Sequence, residues 1–352
     1  MDDRQRILDR ARQALGKGED DDYVIAPTKH AQALEGTAPR LAAHLRRAEL
    51  EIAAQRYERQ DGEALEAQRT FKRSAELANW MVFATACVSA LLLIFGTLLP
   101  DDTAGGLFVG LGVVGILTGG AATFFLQQLR AGKQLEKWMS RRAAAETSRL
   151  EYFKLATEAG SEAGGDLPLP LLQLEYFRRH QLDVQKNYYR RRAKDHERRA
   201  NKLLILGSAS VAGGAAATGL AGLLSGAVAA EWVSAAGLGA IASALAAFAS
   251  TEEALGQDRR NAERYCRTFE ALEGLGAKLG EVRQSAATGD RKPLERWVAA
   301  IHDQLSVEHR QWLEARENIQ SSVAELDAAL ARSRANHPAQ QGAPSGAGTA
   351  NQ

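Results

Sequence analysis

Four uncharged runs constrain this chain more than any other feature. Residues 80–99 (WMVFATACVSALLLIFGTLL), 105–126 (GGLFVGLGVVGILTGGAATFFL), 203–224 (LLILGSASVAGGAAATGLAGLL) and 232–250 (WVSAAGLGAIASALAAFAS) contain no Asp, Glu, Lys or Arg. A helix rises about 1.5 Å per residue, so each run is about 30 Å long, the thickness of a bilayer core. Only PDDTA separates the first two runs and only SGAVAAE the last two. Each pair therefore reads as a helical hairpin with a tight turn. The second pair is rich in Ala and Gly and only mildly apolar, a composition that a buried hairpin of a soluble protein shares; run length reads it as a membrane pair.

Within the second run, Gly110, Gly112 and Gly115 spell GxGxxG. As a dinucleotide fingerprint this pattern needs a preceding strand, a helix N-terminus on the pyrophosphate and an acidic residue about 20 positions on. None of these is present, and the glycines sit in the middle of a span. Close helix packing explains them instead: Gly106 and Gly110, then Gly115 and Gly119, recur at a spacing that puts small residues on one helix face. Gly213, Gly214 and Gly219 are the corresponding packing candidates in the second hairpin.

Charge fixes an orientation for the spans. Lys and Arg crowd the open side of both hairpins: Lys72 and Arg73 before the first, Arg130, Lys133, Lys137, Arg141 and Arg142 after it, and Arg259, Arg260 and Arg264 after the second. The two turns carry only Asp101, Asp102 and Glu231. The positive-inside rule then places both termini and every long segment in the cytoplasm of a multi-pass inner (plasma) membrane protein. The net charge of +1 is the average of this sorted pattern and argues against a nucleic-acid binder. The charged N-terminus MDDRQRILDRARQALGKG has no apolar core, so no signal peptide is expected and the first span directs insertion. Cys87 in a span and Cys266 in a cytoplasmic segment imply no disulfide framework.

The architecture is duplicated. SRRAAAETSRLEYFKLA (140–156) aligns with DRRNAERYCRTFEALEG (258–274), each following a hairpin. This divides the chain into an N-terminal cytoplasmic segment (1–35), a first two-span unit (36–160), a Gly/Pro-marked linker (161–169), a second two-span unit (170–333) and a small, polar tail (334–352) expected to be disordered. The remaining segments carry helical periodicity. Thr37 caps a helix with Pro39 in its first turn, followed by the stripe Leu41, Leu45, Ala48 and Ile52. Leu294, Trp297, Val298, Ile301 and Leu305 form another stripe, continued by Trp312, Leu313, Ile319, Val323 and Leu326. The fold expected is an all-α membrane protein, two transmembrane hairpins with long cytoplasmic helices forming a bundle.

Chemistry-bearing motifs are missing. No GxxxxGK-Ser/Thr, GxSxG, HExxH or paired CxxC occurs, so neither catalysis nor a cofactor is expected. His302 and His309, with Glu308, share a helix face; packing or surface histidines account for them better than a metal, because no further ligand cluster accompanies them. The spans hold no ionisable residue, which disfavours a proton relay and leaves passive permeation open. They do hold hydroxyls at Thr85, Ser89, Thr118, Thr123, Ser208, Ser210 and Thr218. Such groups bond back to their own helix or, in an oligomer, line a narrow pore. Ahead of the third span, NYYRRRAKDHERRANK supplies Arg190, Arg191, Arg192, Lys194, Arg198, Arg199 and Lys202 beside two tyrosines. This is an interfacial anchor, suited to anionic headgroups of the lipid bilayer.

A cytoplasmic helix, a two-span hairpin with a tiny outer turn and a following helix, with the LEYF segments at Leu150 and Leu174 and the ending LSVEHRQWLEAR (305–316), resembles the SLATT family. These are two-transmembrane effector domains associated with SMODS nucleotidyltransferases and SLOG ligand sensors in bacteria. The resemblance implies a tandem SLATT protein that forms pores or perturbs the membrane in a nucleotide-signalled anti-phage or conflict system. It also implies homo-oligomerisation and a nucleotide-producing or nucleotide-sensing partner protein. The family motif brings no catalytic residues. The alternative is a constitutive membrane scaffold that recruits cytoplasmic partners without conduction.

Overall fold

The computed structural model describes residues 3–314 apart from 17, 20, 99–100, 132, 162–165 and 225–228, together with 321, 323–328 and 331. Helix dominates, and no strand occurs among the described residues. The elements are α1 (Asp3–Leu15), α2 (Pro27–Leu34), α3 (Pro39–Leu45), α4 (Ala48–Leu98), α5 (Asp101–Ala131), α6 (Gln134–Ala156), α7 (Leu169–Phe177), a π-helical turn (Arg178–Asp183), α8 (Val184–Leu224), α9 (Ala229–Gly256), α10 (Asp258–Ala277), α11 (Leu279–Ala287) and α12 (Lys292–Glu314). Two compact units result. Unit 1 comprises Met1–Phe71, Gln134–Ala200 and Gln257–Glu317; unit 2 comprises Lys72–Lys133, Asn201–Gly256 and Asn318–Gln352. Each unit draws on both sequence repeats, sorted by polarity rather than by order along the chain.

Unit 1 is organised by α7. All nine of its residues are buried, as an apolar helix with no polar face requires. Its LEYF motif meets the other copy from α6: Tyr152, Phe153, Tyr176 and Phe177 are all fully buried. The Tyr152 and Tyr176 hydroxyls are hydrogen-bonded at 2.7 Å and the Phe153 and Phe177 rings meet edge to face at 5.8 Å. Most polar atoms on α7 are matched internally, while Gln173 Oε1 is buried without a partner. Gln173 donates to the carbonyls of Ala156 and Glu158 at 3.0 and 2.8 Å, and Glu175 accepts from Arg178 at 2.8 Å and from Arg283. The stripe Leu294, Trp297, Val298, Ile301 and Leu305 is buried in the same core.

The N-terminal stripe departs from expectation. α3 ends at Leu45 and α4 begins at Ala48, so the register resets: Leu41 and Leu45 are buried, Ala48 and Ile52 are exposed, and Leu50, Ala53 and Ala54 take their place. Thr37 is not the cap. Ala38 holds that position without a side-chain hydrogen bond, and the Thr37 hydroxyl donates to the Ala14 carbonyl at 2.8 Å. Of the continuing stripe, Val323 and Leu326 are buried, while the side chains of Trp312, Leu313 and Ile319 lie outside the described residues, as does the expected tail from 334.

A polar cluster joins α2, α7 and the π turn. Arg179 grips the Asp22 carboxylate with Nε at 2.8 Å from Oδ1 and 2.9 Å from Oδ2. His180 Nδ1 is hydrogen-bonded to the Asp22 carbonyl at 3.1 Å, and its ring stacks on His30 at 4.4 Å. Burial pushes His30 down to about 3 and His180 down to about 4, so both rings are neutral near pH 7.

Candidate functional site

Three helical stretches among the described residues are long and apolar enough to cross a membrane: Ala48–Gly96, Gly105–Arg130 and Gly237–Ala287. The second contains the expected span 105–126 whole, and the first and third overlap the expected spans 80–99 and 232–250. The remaining expected span, residues 203–224, lies in α8, which is not among the three, and the turn at 225–228 is outside the described residues. α5 is largely bare, with Val109, Ile116 and Leu117 exposed by 69%, 76% and 66%. An apolar face so open to water is a liability unless lipid or protein covers it.

Packing in unit 2 runs α5 to α4 to α9 to α8. The Thr85 hydroxyl on α4 lies 3.0 Å from the Thr118 hydroxyl on α5, and a Cβ on Gly115 would stand 3.3 Å from Val88. On its other side α4 meets α9. The Asn79 amide donates to the Phe248 carbonyl at 3.3 Å and to the Glu252 carboxylate at 2.7 Å, with Trp80 and Phe248 rings 4.6 Å apart. Gly237 lies directly against Ile94, leaving no room for a side chain. α9 meets α8 where a Cβ on Gly214 would come within 2.8 Å of Ala242 and one on Gly239 within 3.0 Å of Thr218.

The expected packing glycines thus divide. Gly115 and Gly214 sit in helix contacts within the chain, Gly119 is buried, and Gly106, Gly110, Gly213 and Gly219 face open space. Gly207, Gly237 and Gly239 make contacts that spacing did not single out, Gly207 standing 3.8 Å from Ala249. Gly237 and Gly239 are two residues apart, so on a helix they point to nearly opposite sides. One serves α4 and the other α8, a sandwich signature that a search for four-residue spacing misses.

The span hydroxyls bond back along their own helices. Thr85 donates to Met81 O, Ser89 to Thr85 O, Thr118 to Val114 O, Thr123 to Gly119 O, Ser210 to Leu206 O and Thr218 to Gly214 O, at 2.7–2.9 Å. Ser208 is exposed. The seven basic residues Arg190, Arg191, Arg192, Lys194, Arg198, Arg199 and Lys202 are all exposed along α8. The Arg192 guanidinium stands over the Tyr188 ring at 5.6 Å, a cation–π contact that holds it beside an aromatic face.

No cluster of three metal-ligating side chains occurs among the described residues. His302 is partly buried with its Nε2 unpartnered, and burial lowers it to about 4; the side chains of Glu308 and His309 are outside the described residues. Cys87 and Cys266 are free thiols.

Residues 177–312 match the family model described as SMODS and SLOG-associating 2TM effector domain 1. The matched stretch begins at the end of α7, takes in the second hairpin and ends within α12. It lies within residues 170–333, the second expected unit, and does not extend over residues 36–160. No curated protein and no solved structure is significantly similar to the chain.

Proposed function

With residues 177–312 being a SLATT domain, a two-transmembrane effector domain, we propose that this chain is a bacterial inner-membrane effector that perturbs or permeabilises the membrane in a nucleotide-signalled conflict system. In this reading the chain is non-catalytic and carries a SLATT-like unit in residues 36–160 as well. Four spans cross the membrane with both termini in the cytoplasm, and basic residues of α8 lie against anionic headgroups.

The observation that carries the reading is the bare face of α5. Gly106 and Gly110 are four residues apart, on one helix face, and each would meet nothing within 4 Å. They sit beside the exposed Val109 and Val113. Small residues on an uncovered apolar face admit the close backbone approach that drives helix association in lipid. A second copy of the chain supplies that partner helix, and a nucleotide-making or nucleotide-sensing protein supplies the trigger.

The test is membrane integrity on controlled expression in bacteria, read by uptake of an impermeant dye and by loss of membrane potential. Depolarisation in the parent that is lost in Gly106→Leu/Gly110→Leu, with the variant still inserted, is the expected result. Depolarisation that survives the substitution refutes assembly through this face.

One observation favours the scaffold reading. Six of the seven span hydroxyls already donate to carbonyls of their own helices, so a polar pore lining has to come from their remaining lone pairs. An intact membrane at every expression level, including with its partner genes present, is the outcome that reading requires.

A further inference from the structure

Unit 1 contains a cavity of about 290 Å³, near the lower end of the size range of small-molecule sites. Its walls are aromatic, with Tyr57, Trp138, Phe153 and Tyr188 among the lining side chains. Four arginines line it, Arg142, Arg149, Arg191 and Arg192, against two carboxylates, Asp61 and Glu146. The carboxylates are already engaged: Arg142 holds Asp61 at 3.2 Å and Glu146 at 2.5 Å, and Arg149 Nη2 holds Glu146 at 2.5 Å. His180, also in the lining, is neutral at pH 7. The cavity therefore has an excess of two positive charges, set by Arg191 and Arg192 on its exposed side.

Gln181 is the decisive residue. It is fully buried, it lines the cavity, and neither its amide nitrogen nor its amide oxygen has a hydrogen-bond partner. Leaving both atoms of a buried amide unpaired is costly, because neither recovers the hydrogen bonds it had to water. Arg149 Nε, in the same lining, is likewise buried without a partner. Gln181 lies in the π-helical turn Arg178–Asp183, and such a turn inserts an extra residue that re-aims side chains, often at a functional site. A donor and an acceptor side by side on one amide match the edge of a heterocyclic base. Aromatic walls match its faces, and unspent guanidinium charge matches a phosphate.

We propose that this cavity is a ligand site for a heteroaromatic anion of mononucleotide size, with Gln181 reading the ring edge and Arg191 and Arg192 taking the phosphate. The site makes the chain itself a ligand binder. Its existence does not depend on the effector reading, whereas its regulatory meaning rests on that reading.

The test is calorimetric titration of the full chain in lipid nanodiscs with AMP, GMP, CMP and UMP, the matching nucleosides and inorganic phosphate. Trp138 fluorescence is followed in parallel, with Trp138→Phe as its control. At least one mononucleotide is expected to bind saturably, its nucleoside about tenfold more weakly, and phosphate alone without competing. Gln181→Met is expected to weaken binding about tenfold. Arg191→Gln/Arg192→Gln, at exposed positions, should do the same with no change in thermal midpoint. Failure of all four mononucleotides to bind at about 5 mM, a free energy near −3 kcal/mol, overturns the proposal and leaves the cavity to water. Phosphate competing as well as the nucleotide overturns base reading. If Gln181→Met fails to fold, the arginine pair decides, and unchanged affinity there is a refutation. Binding is read on purified protein and permeabilisation on cells, so this inference and the effector reading fail separately.

Discussion

Glu175 shows what one buried charge demands of its neighbours. It is 1% exposed, and both Arg178 and Arg283 donate to it. Burial acts to raise its carboxyl, but the two guanidinium groups outweigh that and hold it below the usual range. Arg283→Met removes the partner that comes from α11 and is expected to cost about 1.5–3 kcal/mol in a denaturant titration, the range for a hydrogen bond to a charged group. The histidines give a pH prediction of the opposite kind. His30 and His180 are held neutral, with folded values of about 3 and about 4, while an unfolded imidazole takes its proton near 6.5. Stability tied to the neutral rings is therefore complete above about pH 6.5 and falls as pH drops toward 4, by up to about 1.4 kcal/mol per pH unit for each ring. Unfolding midpoints at pH 7.5 and pH 5 check this, and a midpoint that does not move would mean the rings are hydrated in the folded chain. None of these partners is adjacent in sequence. The stripe on α12 was legible because period alone reports burial, whereas Gln181, the tyrosine pair and the Arg283 half of the Glu175 cluster acquire their meaning from residues more than 20 positions away.

Elements were more legible than residues, and the failures have local causes. Uncharged length marked three helices long and apolar enough to cross a membrane, with the run 203–224 outside that set, but the start of α4 was misread because Arg46 and Arg47 interrupt what looks like one helical stripe. In unit 2 the four-residue spacing singles out Gly115 but not Gly237, whose face is set by the helix on its far side. The contrast between two sites is testable. Gly237→Leu drives a side chain into Ile94 and is expected to separate α4 from α9, lowering thermal stability in nanodiscs. Gly106→Leu/Gly110→Leu meets open space and should leave a single copy's stability within about 0.5 kcal/mol. Equal destabilisation by both would mean that α5 is covered within one chain. The hairpin exits add a backbone prediction. Lys133 and Gln257 follow α5 and α9 with φ of 46° and 48°, left-handed values on residues other than glycine. Such a conformation costs about 1–2 kcal/mol outside glycine. Lys133 is exposed, so Lys133→Gly should raise the melting temperature modestly, by the equivalent of at most about 1 kcal/mol.

At the scale of the whole molecule, orientation is the property to measure first. Cys266 on α10 is an exposed thiol and Cys87 on α4 is partly buried. If the basic segments face the cytoplasm, a membrane-impermeant maleimide leaves intact spheroplasts unlabelled and modifies Cys266 once they are lysed, with Cys266→Ser abolishing the signal. Labelling before lysis would reverse the topology. The polarity sorting of the two compact units was foreshadowed by charge. Their interleaving was not, because the repeats suggested two sequential bodies, while burying α7 on all sides requires helices from both halves of the chain.

That shared core has a consequence for synthesis. Leu45 in α3 and Leu294 in α12 belong to one buried cluster, yet about 250 residues separate them. At about 5–20 residues per second the ribosome takes about 12–50 s to join them. For most of that interval the first hairpin is already made while its soluble flank still lacks α12. The nascent half-chain is therefore a client for the insertion machinery and for holdase chaperones at the same time, and a stop codon between the first hairpin and α12 yields a protein with an open core at the membrane.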